Sequence, residues 1–160
     1  VVAASSGSTV DNTSGKYPFI YRGKENPYAN AWVNVADVLA TREGSEGNYK
    51  YYMNYLPDPT KYAGGTASSD YVKLSYEMAK DSGYVKELGK DKRYPFIRMT
   101  SVVGGSSTTY YADYYWPAQS AVCAVVAGGG LSSGRSYGPR CFDCDGAPSN
   151  SLWNRRARLS

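Results

Sequence analysis

Few residues in this chain are suited to covalent chemistry, and the missing types narrow the choices further. The chain has no histidine, which excludes a Ser-His-Asp or Cys-His nucleophile, a His-ligated metal site and a histidine general base. Cys141-Phe142-Asp143-Cys144 spells CxxC, the spacing of half a zinc site or of a redox pair. A second CxxC is missing, no thioredoxin-like βαβ pattern surrounds the first, and Cys123 lies in an apolar run expected to be buried. Glu25-Asn26-Pro27 holds the residue types of the calcium-ligating tripeptide of sugar-binding lectins in a different order. Its plainer reading is a turn, because a calcium ion needs several converging oxygens and the acidic residues are widely scattered. Basic residues are also scattered apart from Arg155, Arg156 and Arg158, and a net charge of +4 makes no stripe for nucleic acid. The chain is therefore read as a non-enzyme without cofactor, metal or nucleic-acid partner.

What remains is the chemistry of recognition. The aromatics of Tyr110 to Trp116 suit pyranose rings, although core and edge packing is the simpler role for them. The stretch from Gly128 to Ser160 is more specific. Between Gly130 and Leu152 there is no Lys, Glu, Gln, Met, Trp, Ile or Val, and every lysine of the chain precedes it. Folding gives no reason for this bias, since Lys and Glu suit an exposed surface as well as Arg and Asp do. The genetic code does give one. An Asn codon whose two adenines are randomised reaches Ser, Arg, Tyr, Cys, Phe, Asp, Gly and Leu, but never Lys, Glu, Gln, Met or Trp. The residues so admitted are those of a binding surface: Tyr and Arg supply large directional contacts, and Ser, Gly and Asp supply small adaptable ones. The candidate ligand-binding positions are Leu131, Ser132, Ser133, Arg135, Ser136, Tyr137, Arg140, Cys141, Phe142, Asp143, Cys144, Asp145, Gly146, Leu152 and Arg155. The two tail cysteines fall among them, which makes their CxxC spacing a coincidence of the same process.

The fixed positions around these residues resemble the C-terminal variable region of proteins diversified by diversity-generating retroelements. Gly128, Gly129, Gly134, Gly138 and Pro139 match, as do the run Ala147 to Ser151 and then Trp153, Asn154, Ala157, Arg158, Leu159 and Ser160. Leu131 departs from a usual Trp, and Arg155-Arg156 from an Ile-Gly pair. Tyr21 to Trp32 is similar to the segment that opens the C-type-lectin-like domain of phage-encoded proteins from gut bacteria. Gly104 to Trp116 is similar to a second segment of the same proteins, and the resemblance covers most of Tyr17 to Ser160. It implies an α+β, C-type-lectin-like fold of the formylglycine-generating-enzyme type, with short mixed or antiparallel strands, few helices and long loops. The enzymes of that type use a paired-cysteine copper site. Their activity is not carried over, because Cys123 has no partner outside the variable tail and fold alone does not transmit function.

The elements that must position the tail read as short strands. At 160 residues and 42% hydrophobic, one domain with a real core is expected. Residues 1–16, small, polar and Ser-rich towards their start, read as a linker from a longer upstream chain. Residues 17–160 form the ligand-binding domain, with its variable region at about 128–160. Ala31 to Leu39 alternates as a strand, and Asn48 to Tyr55 reads as its hairpin partner after a Gly-Ser-Glu-Gly turn. Tyr71 to Ala79 reads as a strand, Ser82 to Leu88 as a short helical turn and Tyr94 to Val103 as a core strand. Ala121 to Ala127 is apolar throughout, the pattern of a strand buried on both faces. The resulting expectation is a hypervariable receptor-binding domain of a phage tail fibre, located at the virion tail tip. A bacterial surface adhesin or lipoprotein, and a non-diversified structural virion module, are the alternatives. The partner is a host cell-surface protein or glycan, without membrane insertion. Avidity favours a homotrimer.

Independent copies of the gene should therefore differ mainly at the candidate positions above. Sequencing such copies checks this, and substitutions spread evenly along the chain would contradict it.

Overall fold

The computed structural model describes residues 32–129 and 141–150, together with the backbone of the short strands β1 (Ile20–Tyr21), β2 (Lys24–Glu25) and β11 (Arg155–Ala157). The expected linker, residues 1–16, lies outside the described residues. β3 (Trp32–Glu43) is the longest strand. It turns back into β4 (Lys50–Tyr55) with Val38 opposite Tyr55 and Glu43 opposite Lys50. The turn requires glycine: Gly44 has φ +101, and a Cβ there would stand 2.7 Å from the Asn48 carbonyl oxygen.

After a single 3-10 turn at Pro59–Lys61, capped by the Asp58 carboxylate, β5 (Val72–Met78) pairs antiparallel with β4. β6 (Gly83–Leu88), β7 (Thr100–Val103), β8 (Tyr114–Trp116), β9 (Val122–Ala127) and β10 (Phe142–Asp143) complete the sheet. Its order is β5-β4-β3-β9-β10-β8-β6-β7, and β11 pairs with the start of β3. Most pairings are antiparallel, but β10 on β8 and β11 on β3 are parallel. The two outer strands approach each other, where the Ala79 N–H donates to the Thr100 carbonyl at 3.0 Å and the Met99 N–H to the Tyr76 hydroxyl at 3.1 Å. The sheet thus curls into a nearly closed, barrel-like form.

The interior holds Ala40, Met53, Leu74, Met78, Val85, Met99, Tyr115, Cys123, Val125 and Cys144. Tyr115 is wholly buried there, and its hydroxyl donates to the Ala79 carbonyl at 3.0 Å. A second apolar cluster forms from Trp32, Val126 and Cys141, with Trp116 packed against it. Neighbouring residues of β9, Val125 and Val126, belong to different clusters, so this strand is covered on both faces, as its unbroken apolar run implies.

The α+β, C-type-lectin-like expectation is corrected here. Among the described residues, strands account for 44% and helical turns for 3%. Ser82 to Leu88, read as a helical turn, becomes β6, because Tyr84, Val85 and Lys86 alternate and only Val85 faces the interior. The core strand expected over Tyr94 to Val103 shortens to Thr100–Val103. Pro95 cannot donate a ladder bond, and the Ile97 N–H turns back to the Tyr94 carbonyl at 3.1 Å. β3, β4, β5 and β9 overlap the runs Ala31 to Leu39, Asn48 to Tyr55, Tyr71 to Ala79 and Ala121 to Ala127 that read as strands, whereas the short strands β8 and β10 are not anticipated.

One buried charge ties the β6–β7 connection to the barrel. The Asp91 carboxylate accepts the N–H groups of Ser75 on β5 and of Arg93, both at 2.7 Å, and the Arg93 guanidinium lies 3.2 Å away. The Arg93 side chain, then these backbone donors, hold the Asp91 carboxyl well below the usual carboxylate range. A depressed folded-state pKa contributes stability that is complete above the unfolded value, about 3.9, and is lost as pH falls below it. Asp91→Asn should therefore lower the melting temperature at pH 7 and shrink the difference between melts at neutral and strongly acidic pH. An unchanged pH difference in the variant would contradict this role.

Candidate functional site

Where β9 ends, Gly128 (φ +91) and Gly129 (φ +72) adopt left-handed conformations that turn the chain away from the sheet. The chain is back at Cys141, whose carbonyl accepts the Gly128 N–H at 3.2 Å. The two ends of the segment 130–140 are thus held side by side. Leu131, Ser132, Ser133, Arg135, Ser136, Tyr137 and Arg140 lie outside the described residues, as do Leu152 and the side chain of Arg155. The Arg155 backbone pairs in register with Trp32 at the start of β3.

The returning segment enters the sheet. In β10, Phe142 stands opposite Ala127 of β9 and Tyr115 of β8, and Asp143 opposite Val126 and Trp116. Beyond it, the Cys144 N–H donates to the Trp116 carbonyl at 3.0 Å, and the Ala124 N–H to the Gly146 carbonyl at 2.8 Å. Side chains therefore alternate across the sheet. Cys141 is buried in the outer cluster, while Cys144 is buried in the interior and Phe142 packs half-buried against it. Asp143 is half-buried, and its carboxylate accepts the Asp145 N–H at 2.8 Å; Asp145 is exposed and Gly146 buried. Of the six described candidates, only Asp145 is fully presented to solvent. The buried thiols of Cys141 and Cys144 cannot reach a ligand, Gly146 has no side chain to offer, and Phe142 packs towards the interior.

The same alternation separates the CxxC pair. Cys141 and Cys144 belong to clusters on opposite faces, and all three cysteines are free thiols. Burial, the dominant cause, pushes both tail thiols well above the usual thiol range. They are protonated, poor nucleophiles. Among the described residues, no three Cys, Asp or Glu converge as metal ligands would.

The stretch Tyr110 to Trp116 divides by function. Tyr115 is core. Tyr114 and Trp116 lie on the outer face with Tyr84 and Trp32, with ring centroids 5.1 Å apart for Tyr84–Tyr114, 4.5 Å for Tyr114–Trp116 and 6.4 Å for Trp32–Trp116. The first and last contacts are edge-to-face, so these rings brace one another and do not form a flat platform. The preceding loop, Gly104 to Asp113, is pinned at both ends. The Gly104 and Gly105 N–H groups donate to the Tyr84 carbonyl at 3.0 and 3.1 Å, and the Val85 N–H donates to the Asp113 carbonyl at 2.9 Å. Asp113 and the Tyr114 backbone lie beside Cys141, so this loop and the segment that begins at Cys141 meet at one point. Local composition does not reveal that meeting, which depends on the parallel pairing of β8 with β10.

A cleft of about 330 Å³ opens at the barrel seam between β5 and β7, lined by Met78, Lys80, Asp81 and Val102 among others. Comparison with known protein families, curated proteins and solved structures finds no match.

The thiols should resist an aromatic disulfide reagent in native buffer and react only on unfolding. Trp32→Ala should cost roughly 3–5 kcal/mol, as removal of a buried indole does. Rapid native labelling, or an unchanged denaturation midpoint, would contradict the burial of the outer cluster.

Proposed function

We propose that this chain is a diversified ligand-binding domain, the receptor-binding part of a phage tail fibre, whose target is a host cell-surface protein or glycan. The observation that carries this reading is a coincidence of two boundaries. The stretch free of Lys, Glu, Gln, Met, Trp, Ile and Val begins at Ala127, the last residue of β9, and Gly128 and Gly129 follow with left-handed backbone. Its return is secured by backbone hydrogen bonds, which do not depend on side-chain identity. A frame of this kind can accept many sequences between its fixed ends. The residue types admitted by adenine-directed diversification, Tyr, Arg, Ser, Gly and Asp, are those that concentrate and adapt binding energy.

In this reading function resides in affinity, without catalysis. Tyr137 and Arg140 supply the large contacts and the serines supply adaptable ones. Assembly as a homotrimer would join several weak sites into one strong attachment. Adenine-directed exchange with a template copy would renew the tail while leaving residues 17–127 alone.

Two domains that share residues 1–129 but carry different tails should bind different subsets of a panel of whole bacterial cells, measured by flow cytometry. Within one tail, Tyr137→Ala with Arg140→Ala should weaken binding roughly 30-fold or more, while stability changes by about 0.5 kcal/mol or less per site. The same strain range for every tail would overturn the reading.

A further inference from the structure

We propose that the outer edge of β5 is a pairing surface for a second copy of this chain, and that Asp91 and Arg93 cap it so that copies stay apart. This goes beyond the tail and holds whatever the tail binds. β5 ends the sheet order, and its ladder partner among the described strands is β4 alone. On the other side, Lys73, Ser75 and Ala79, spaced by even numbers, direct backbone groups away from β4. The Ala79 N–H meets the Thr100 carbonyl of β7. Nearer the middle, side chains stand where a strand would. The Asp91 carboxylate accepts the Ser75 N–H at 2.7 Å, and the Arg93 guanidinium donates to the Lys73 carbonyl at 2.9 Å. The two capping groups also hold each other, 3.2 Å apart.

The cap has its own support. The Gly89 N–H donates to the Met99 carbonyl at 2.8 Å and closes the β6–β7 connection at its base, while the Met99 N–H donates to the Tyr76 hydroxyl. A Cβ on Gly89 would run into the Tyr76 ring, so the connection lies directly on β5. An uncovered edge is a template for strand addition, and natural proteins cover such edges with charged side chains and loops. Copies held close together meet at high effective concentration. Without the cap their barrels would join side by side.

The sequence of β5 selects the partner. Val72-Lys73-Leu74-Ser75-Tyr76-Glu77-Met78, paired antiparallel with itself about Ser75, sets Lys73 of one copy opposite Glu77 of the other, twice over by two-fold symmetry. Lys73, Ser75 and Glu77 are all exposed, so these pairs form on the solvent face. Opposite charges directly across two strands favour pairing there, and like charges oppose it. The backbone agrees with this register, because Ser75, placed opposite itself, turns its N–H outward as a hydrogen-bonded pair needs. In the capped chain Lys73 is paired with Glu43 at 3.0 Å, an exposed contact of small worth that a new partner can replace. At Glu77 the edge already opens into the seam cleft, which gives a strand room to enter.

Sedimentation equilibrium of the full chain tests this. Over a concentration range in which the mass of the parent is constant, Asp91→Ala with Arg93→Ala should raise that mass at least two-fold. Adding Lys73→Glu, which sets two carboxylates opposite each other, should return the mass to the parent value. Adding Glu77→Lys as well restores opposite charges, and should raise it again. Non-specific aggregation of a weakened fold would not follow the charges in this way. If the double replacement does not fold, Arg93→Ala alone carries the test, because Asp91 still holds the connection; association should then need higher concentration and show the same response to charge exchange. An uncapped variant that keeps the parent mass, or association indifferent to the charges at residues 73 and 77, would overturn the inference. Either result leaves the reading of the tail untouched.

Discussion

A two-residue strand holds this barrel together. β10, Phe142–Asp143, lies between β9 and β8, and without it the two parts of the sheet, β5-β4-β3-β9 and β8-β6-β7, would meet only at the seam between β5 and β7. The hydrogen bonds from the N–H groups of Gly128 to Cys141, of Cys144 to Trp116 and of Ala124 to Gly146 extend the join on either side of it. All are backbone bonds, so the join is indifferent to side-chain identity. A segment next to this point could change in sequence as long as its ends keep their register.

Side chains impose the limit that the backbone does not. Residues 141 and 144 face two separate apolar clusters, and a misfit in such a cluster costs about 1–3 kcal/mol. Small residues such as Cys fit both places. The gradation from buried Cys141 and Cys144, through half-buried Phe142 and Asp143, to exposed Asp145 therefore divides the tail into supporting and presenting positions. The outer cluster of Trp32, Val126, Cys141 and Trp116 couples the start of β3 to the returning tail. The braced rings of Tyr84 and Tyr114 carry that support to the loop bearing Tyr110 and Tyr111.

Strand content was legible wherever periodicity was long enough to read. β3, β4 and β5 alternate, and the apolar run of β9 announced burial on both faces. Ser82 to Leu88 was ambiguous, since six or seven residues fit either period and only the pairing of β6 with β7 and β8 decides. β10 was illegible for a plainer reason: two residues have no period, and their partners are distant in sequence. The burial of Cys141 and Cys144 was readable in principle, because free cysteine is among the most buried residue types. Codon restriction accounts for the same two cysteines without burial, which hides that signal. The α+β expectation came from resemblance, and the one run read as helical, Ser82 to Leu88, is too short for its period to establish a helix. The left-handed backbone of Tyr110 and Ala112 has no sequence signal, since neither residue type is chosen for it.

The central claim is that the segment 130–140 varies without involving the frame that holds it. Replacing residues 130–140 by a Gly-Ser chain of equal length and measuring unfolding in urea tests this directly. The expected result is a cooperative transition with stability within about 1 kcal/mol of the parent chain. Loss of cooperativity, or a fall of roughly 3 kcal/mol or more, as removal of a core side chain produces, would show that the segment is part of the barrel's core and contradict the claim.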